Sequence, residues 1–182
     1  MPISEATYEQ VALEDPEGQW ELVCGRLRRK PEMTTEHNGV QRRLDRRLQL
    51  QLNEDDYIVS AGSACLRIST GSFYVPDLCV LPTAVEQRRR ETPGRFEVYE
   101  EPMPLVVEVW SPSTGEYDVE TKLLEYQWRG DHEIWRIHPY EHTLIAWRRQ
   151  PDGSYAELLI TGGTVQPVAL PGVTIALEGL FG

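Results

Sequence analysis

At 182 residues and 20.9 kDa, the chain is long enough for one domain with a sizeable core, and residues 1–182 are read as that single domain. Forty per cent hydrophobic and 26% charged residues exclude collagen, coiled coil and wholesale disorder, and no apolar run approaches the ~18 residues of a membrane span. The formal net charge of −11 opposes general attraction to a phosphate backbone, so any nucleic-acid contact must come from local basic surface. Three cysteines without CxxC spacing, and a start (Met1-Pro2-Ile3-Ser4-Glu5) unlike a signal peptide, predict a cytoplasmic, reducing setting and no membrane association. The basic residues comprise sixteen Arg and only two Lys, Lys30 and Lys122. Coding bias accounts for the arginines; a surviving lysine hints that its own chemistry is needed.

Ser4 is placed to cap a short first helix. Trp20–Cys24 and Leu27–Lys30 read as a hairpin turning at Gly25-Arg26. From about Glu36 to Asn53, Val40, Leu44, Leu48 and Leu52 step by four along one helical stripe. That puts Arg42, Arg43 and Arg46 on the opposite, wet side. Tyr57–Ser60 and Ala64–Ser69 read as paired strands around Gly62, followed by an extended run, Phe73–Leu81, interrupted by Pro76. Between Thr83 and Met103 the composition changes to charge and Pro-Gly, predicting a mobile loop with room for a short helix. Pro104–Trp110 reads as a central strand covered on both faces. A helix from about Val119 to Trp128 ends at Gly130. Glu133–His138 and Thr143–Arg149 make another strand pair, Tyr155–Ile160 adds a strand, and a short helical tail closes the chain. The pattern predicts an α+β fold, α/β-like, with a mixed central β-sheet flanked by helices.

Glu108 is the one polar side chain in the central apolar run. Such a carboxylate is costly unless it is paired, hydrogen-bonded or bound to a metal, and in isolation pairing with an Arg or exposure on one face is the better account. Asp77, in a second apolar run directly after Pro76, changes the balance. Two acids on neighbouring strands suit a hard divalent cation such as Mg²⁺ or Mn²⁺. Such an ion polarises a phosphoryl oxygen and activates water, and a lysine can stabilise the developing charge.

The motifs "VPD", "LVVEVWSPST" and "D-x-x-x-K-x-x-x-Y" resemble the Uma2 family, an endonuclease group in the PD-(D/E)XK nuclease superfamily. The opening "WELVCGRL", the helix start "EHNGVQRRL" and the ending "LPGVTIALEGLF" are similar to that family too, so the resemblance spans nearly the whole chain. It implies a restriction-endonuclease-like core and makes Asp77 and Glu108 both catalytic residues and metal ligands, with Mg²⁺ or Mn²⁺ as cofactor. The superfamily's usual lysine position holds Trp110; the family's displaced lysine corresponds to Lys122, with Asp118 and Tyr126 in the same helical row. Glu21 matches the acid of the opening strand and His37 the histidine of the helix start, both as supporting residues. Cys24-Gly25-Arg26 stands where the family has Asp-Gly-Glu, so one customary acid is missing.

The resemblance implies divalent-metal-dependent hydrolysis of nucleic acid, DNA first; small basic patches, and the two active sites that cutting both strands of a duplex takes, predict a two-fold homodimer. The alternative is a catalytically weak nuclease-fold protein that binds nucleic acid or another protein. Arg42, Arg43, Arg46, Arg88, Arg89 and Arg90 are the basic concentrations singled out as phosphate contacts, with a solvated helix face and a charged loop as the plainer account. His132, His138 and His142 read as turn and surface residues, and the five Trp as sheet packing. Lys122→Ala is expected to leave the melting temperature nearly intact while removing cleavage.

Overall fold

The computed structural model describes residues 2–91, 96–113 and 115–182, with only the backbone of 89 and 115–119. Helix α1 (Glu5–Glu14) starts where the Ser4 side chain accepts a hydrogen bond from Thr7 N. Strands β1 (Trp20–Val23) and β2 (Arg26–Arg29) form the hairpin, but its turn is Cys24-Gly25, with both residues at positive φ. Two such residues give the tight turn whose twist suits a two-residue hairpin, which moves the bend one position earlier than Gly25-Arg26. Helix α2 (Thr35–Gln49) is capped by Thr34 and buries Val40, Leu44 and Leu48, the predicted stripe. Arg43 is not on the wet side: it is half-buried and donates to Leu180 O in the C-terminal segment.

The strands divide into two main sheets, and here the predicted pairing changes. Strand β3 (Tyr57–Ala61) does not pair with β4 (Cys65–Ser69). Instead the chain leaves one sheet at Gly62, at positive φ, and enters the other. The run Phe73–Leu81 likewise splits into β5 (Ser72–Tyr74) in the smaller sheet and β6 (Leu78–Pro82) in the larger. Val75-Pro76-Asp77 is the crossing between them; Pro76 has no N–H to give a ladder. The segment predicted as a loop contains helix α3 (Thr83–Arg90) and strand β7 (Val98–Tyr99), anchored by buried Val85, Tyr99 and Met103. Strand β8 (Leu105–Val109) is wholly buried, and helix α4 (Gly115–Arg129) follows, four residues longer at its start than predicted. Strands β9 (Glu133–His138), β10 (Thr143–Arg149) and β11 (Tyr155–Ile160) form a meander. A small pair, β12 (Thr164–Val165) and β13 (Ile175–Ala176), and helix α5 (Glu178–Phe181) complete the chain.

The larger sheet runs β11-β10-β9-β8-β6-β3, antiparallel except for β8 with β9; the smaller runs β2-β1-β5-β4-β7. Leu105, Val107 and Val109 of β8 face a core built with α2 and α5, while Val106 faces a second core shared with the smaller sheet and Tyr126 of α4. Tyr8 of α1 covers the smaller sheet's outer side, stacked on Phe73 at 5.0 Å between ring centroids. No described helix is long and apolar enough to cross a membrane.

Cys65 and Cys79 are buried, and burial pushes both thiols up to about 12, whereas Cys24 is exposed in the hairpin turn. Since the thiolate is the reacting species, Ellman's reagent at pH 8 should titrate one thiol in the folded protein and three in denaturant. Rapid reaction of a second thiol without denaturant would contradict this packing.

Candidate active site

The period-2 alternation of β8 sends Val106 and Glu108 to the same face, toward the smaller sheet. On β6, Cys79 and Leu81 share that face, and Asp77 has the same parity. The antiparallel register pairs Leu78 with Val107, so one further step sets Asp77 beside Glu108. The backbone confirms the proximity: Val109 N donates to Asp77 Oδ2 at 2.7 Å. Both predicted acids therefore meet in the buried space between the sheets.

Asp77 is fully engaged. His37 Nε2 lies 3.0 Å from Oδ2, Lys30 Nζ donates to Oδ1 at 2.8 Å, and the Gln41 side chain reaches the Asp77 carbonyl. Burial raises the carboxyl's pKa, but the Lys30 ammonium and the His37 hydrogen bond outweigh it and hold it well below the ordinary range. An ionised carboxylate only accepts, so His37 Nε2 carries the hydrogen. His37 itself is 1% exposed, which places it inside the cluster rather than in solvent.

Glu108 Oε1 accepts from Tyr126 OH at 2.7 Å and faces Lys122 Nζ at 3.4 Å. Burial, with Asp77 and Glu21 nearby, pushes its carboxyl above the ordinary value despite the opposing lysines. Lys122 Nζ also donates to Glu21 Oε1 at 2.8 Å, and the same oxygen accepts from Val75 N. Burial works against the Lys122 charge, but Glu108 and Glu21 dominate and hold the ammonium well above its ordinary range. Lys30 is raised for the same reason, by Asp77 and Glu108 against burial. The Lys122 ammonium lies 5.3 Å from the centre of the Tyr74 ring.

Asp77, Glu108, Lys122, Glu21, His37 and Tyr126 are thus brought together. The Asp118 and Arg89 side chains lie outside the described residues. Arg88 and Arg90 pair with Glu101 and Glu86, while Arg42 and Arg46 are exposed on α2. A further basic stretch lies on the edge strand β2, where Arg26, Arg28 and Arg29 are exposed and Lys30 follows directly. Lys30 was the missed site residue, and its rarity was the available signal. Among the tryptophans, Trp128 is 92% exposed instead of packing a sheet. His132 and His142 are exposed turn residues as expected, His142 stacking on Phe181, whereas His138 is half-buried on β9 and stacks on Trp110.

Two other buried acids make a useful contrast. Asp131 is tied by Arg129 and Met103 N, and Glu133 by Arg148, Trp135 Nε1 and Val168 N. Each belongs to one structural tie. The cluster at Asp77 instead borders a cleft of about 590 Å³, lined among others by Arg29, Lys30, His37, Asn38, Gln41 and Asp77.

An α+β fold in which the crossing before β6, strand β8 and the following helix bring two acids and a lysine into one buried cluster, with Asp77 at the edge of a cleft, is nuclease-like. It matches the crystal structure of a protein from Anabaena variabilis described as "a putative nuclease belonging to DUF820", with a TM-score of 0.76 over 91% of this chain and 90% of that one, at 17% identity. The chain belongs to the Uma2 family, whose model, described as "Putative restriction endonuclease", matches residues 6–178. No curated protein matches it.

The burial of Lys122 revises the expectation that its removal is harmless to stability. Lys122→Met leaves Glu21 and Glu108 without their shared ammonium, and breaking a buried pair from one side costs about 3–5 kcal/mol. Urea denaturation should register that loss; an unchanged midpoint would mean the cluster is not electrostatically coupled.

Proposed function

We propose that this protein is a divalent-metal-dependent phosphodiesterase acting on nucleic acid, with DNA as its substrate. The observation that carries the reading is the cluster itself: an acid from the crossing before β6, one from β8 and a lysine from α4, beside a cleft whose charged lining includes Arg29, Lys30, Glu17 and Glu32. The donor set fits Mg²⁺ or Mn²⁺, which take one or two carboxylates and complete their shell with water and substrate oxygens. Among the described residues no three His, Cys, Asp or Glu side chains form a cage, so Asp77 and Glu108 would be the protein's ligands. When bound, the ion supplies polarisation of a phosphoryl oxygen and lowers the pKa of water.

The chain's own groups have separable tasks. Tyr126 and Lys122 both approach Glu108 Oε1, which orients the carboxylate and would leave Oε2 for an ion. His37 and Val109 N fix Asp77 through Oδ2. Lys122 keeps a positive charge in a water-poor site, where it would offset charge developing on the phosphate. Arg29 on the cleft wall offers local basic surface of the kind a chain of net −11 needs to hold a strand, while Arg26 and Arg28 alternate to the other face of β2. Cutting both strands of a duplex takes two such sites, which a two-fold homodimer would supply.

A second reading has its own observation. Both oxygens of Asp77 are held by this chain's own donors, and Arg26 stands where the family has an acid, which together suit a module that binds nucleic acid without cleaving it. Incubation of supercoiled plasmid, single-stranded DNA and RNA with Mg²⁺ or Mn²⁺ separates the two. The enzyme reading requires nicked or linear DNA, and Asp77→Asn and Glu108→Gln should each slow its appearance by about 100-fold or more. Retention of DNA in a gel shift, with every substrate left intact under both ions, would sink the hydrolase and favour the binder.

A further inference from the structure

We infer that the Lys30 ammonium is a built-in occupant of the cation position on Asp77, which must leave that carboxylate before a divalent ion takes it; the inference rests on the metal reading above. The two oxygens of Asp77 are used differently. Oδ2 is held by His37 and by the backbone N–H of Val109, both rigid parts of the fold. Oδ1 accepts only from Lys30 among the described contacts, at 2.8 Å. An approaching ion therefore competes with the lysine for Oδ1.

The charge count favours exchange over addition. Glu21, Asp77 and Glu108 face Lys30 and Lys122 in one buried space, leaving a single net negative charge. A divalent ion added beside both lysines would make that space positive by one. The same ion with Lys30 withdrawn makes it neutral, and an unbalanced charge is what a buried site tolerates least.

Lys30 also has somewhere to go. It follows β2 in the connection to α2, its side chain is 6% exposed, and it lines the cleft, so rotation carries the ammonium out of the cluster and into that space. Its remaining bond, to Val75 O, is to a neutral carbonyl. Lys122 does not line this cleft and is held by two carboxylates. The two lysines of the chain thus differ in kind: one is fixed, the other exchangeable.

A site that is competent only while Lys30 is away binds its ion more weakly in proportion to the fraction of time it is open. Calorimetric titration of Mn²⁺, without nucleic acid, into the wild type and Lys30→Met should therefore show the variant binding at least about tenfold more tightly. Asp77→Asn should abolish that gain in the Lys30→Met background. Equal affinities would overturn the exchange while leaving the metal reading standing. Absence of Mn²⁺ binding in both proteins would instead overturn the metal reading, and this inference with it.

Should Lys30→Met not fold, the unmodified chain answers the same question. With ¹⁵N-lysine labelling it gives two side-chain signals, assigned by Lys30→Arg. Saturation with Mg²⁺ should move the Lys30 signal to the position of a solvent-exposed lysine. A Lys30 signal unmoved at saturation would overturn the proposal.

Discussion

Three carboxylates occupy one buried space between the two sheets, and the surrounding fold is arranged so that this charge is balanced. Ions out of water are tolerated only with close partners and satisfied oxygens. Here the partners come from distant parts of the chain. Glu21 arrives on β1, Asp77 at the crossing before β6, Glu108 on β8, Lys30 after β2 and Lys122 on α4. The docking of the smaller sheet and of α4 against the larger sheet is therefore also the assembly of the cluster. Tyr126 joins the two roles: its ring lies in the shared core and its hydroxyl donates to Glu108.

Much of this is legible in the sequence, and for a physical reason. An acid inside a strand-like apolar run has to be compensated, so Glu108 and Asp77 stand out from the sequence alone. The stripe of Val40, Leu44 and Leu48 follows from helical spacing, and the burial of β8 from its unbroken apolar character. Lys122 stands out by the scarcity of lysine and by its place on the helix after β8, and the family resemblance gives it a role; Glu21 rests on the resemblance alone. What failed was tertiary. Neighbouring strands usually pair, yet β3 and β4 part company at Gly62 because each finds its partner in a different sheet. Arg43 left the wet face because a backbone carbonyl of the C-terminal segment lay within reach. Lys30 escaped because its partner is 47 positions away, and nothing in the sequence near it signals that contact.

The distribution of basic side chains carries a further lesson. The chain has sixteen arginines and only two lysines, and the places where those lysines fall are informative. The ties at Asp131, Glu133 and Glu5 all use arginine, whose planar fork holds carboxylates in fixed geometry. Both lysines sit in the one cluster beside the cleft. A compact ammonium on a flexible stem can give up one partner for another, as a guanidinium locked across two oxygens cannot. Similarity to a solved fold at 17% identity establishes architecture; this division of labour comes from the residues of this chain.

The crossing at Val75-Pro76-Asp77 has a consequence for how such a gene can change length. Tyr74 ends one sheet's strand and Leu78 begins the other's, so three residues set the phase of β6. Because side chains alternate with period two, a one-codon insertion or deletion there would invert every residue that follows on the strand. Cys79 and Leu81 would turn toward the α2 side, Leu78 and Val80 would trade places with them, and the carboxylate would leave the cluster altogether. The turn at Gln150–Ser154, which only joins neighbouring strands at the sheet's margin, is under no such lock. Drift in chain length should accordingly accumulate at the rim of the larger sheet, while the three-residue bridge keeps its count even where its letters vary.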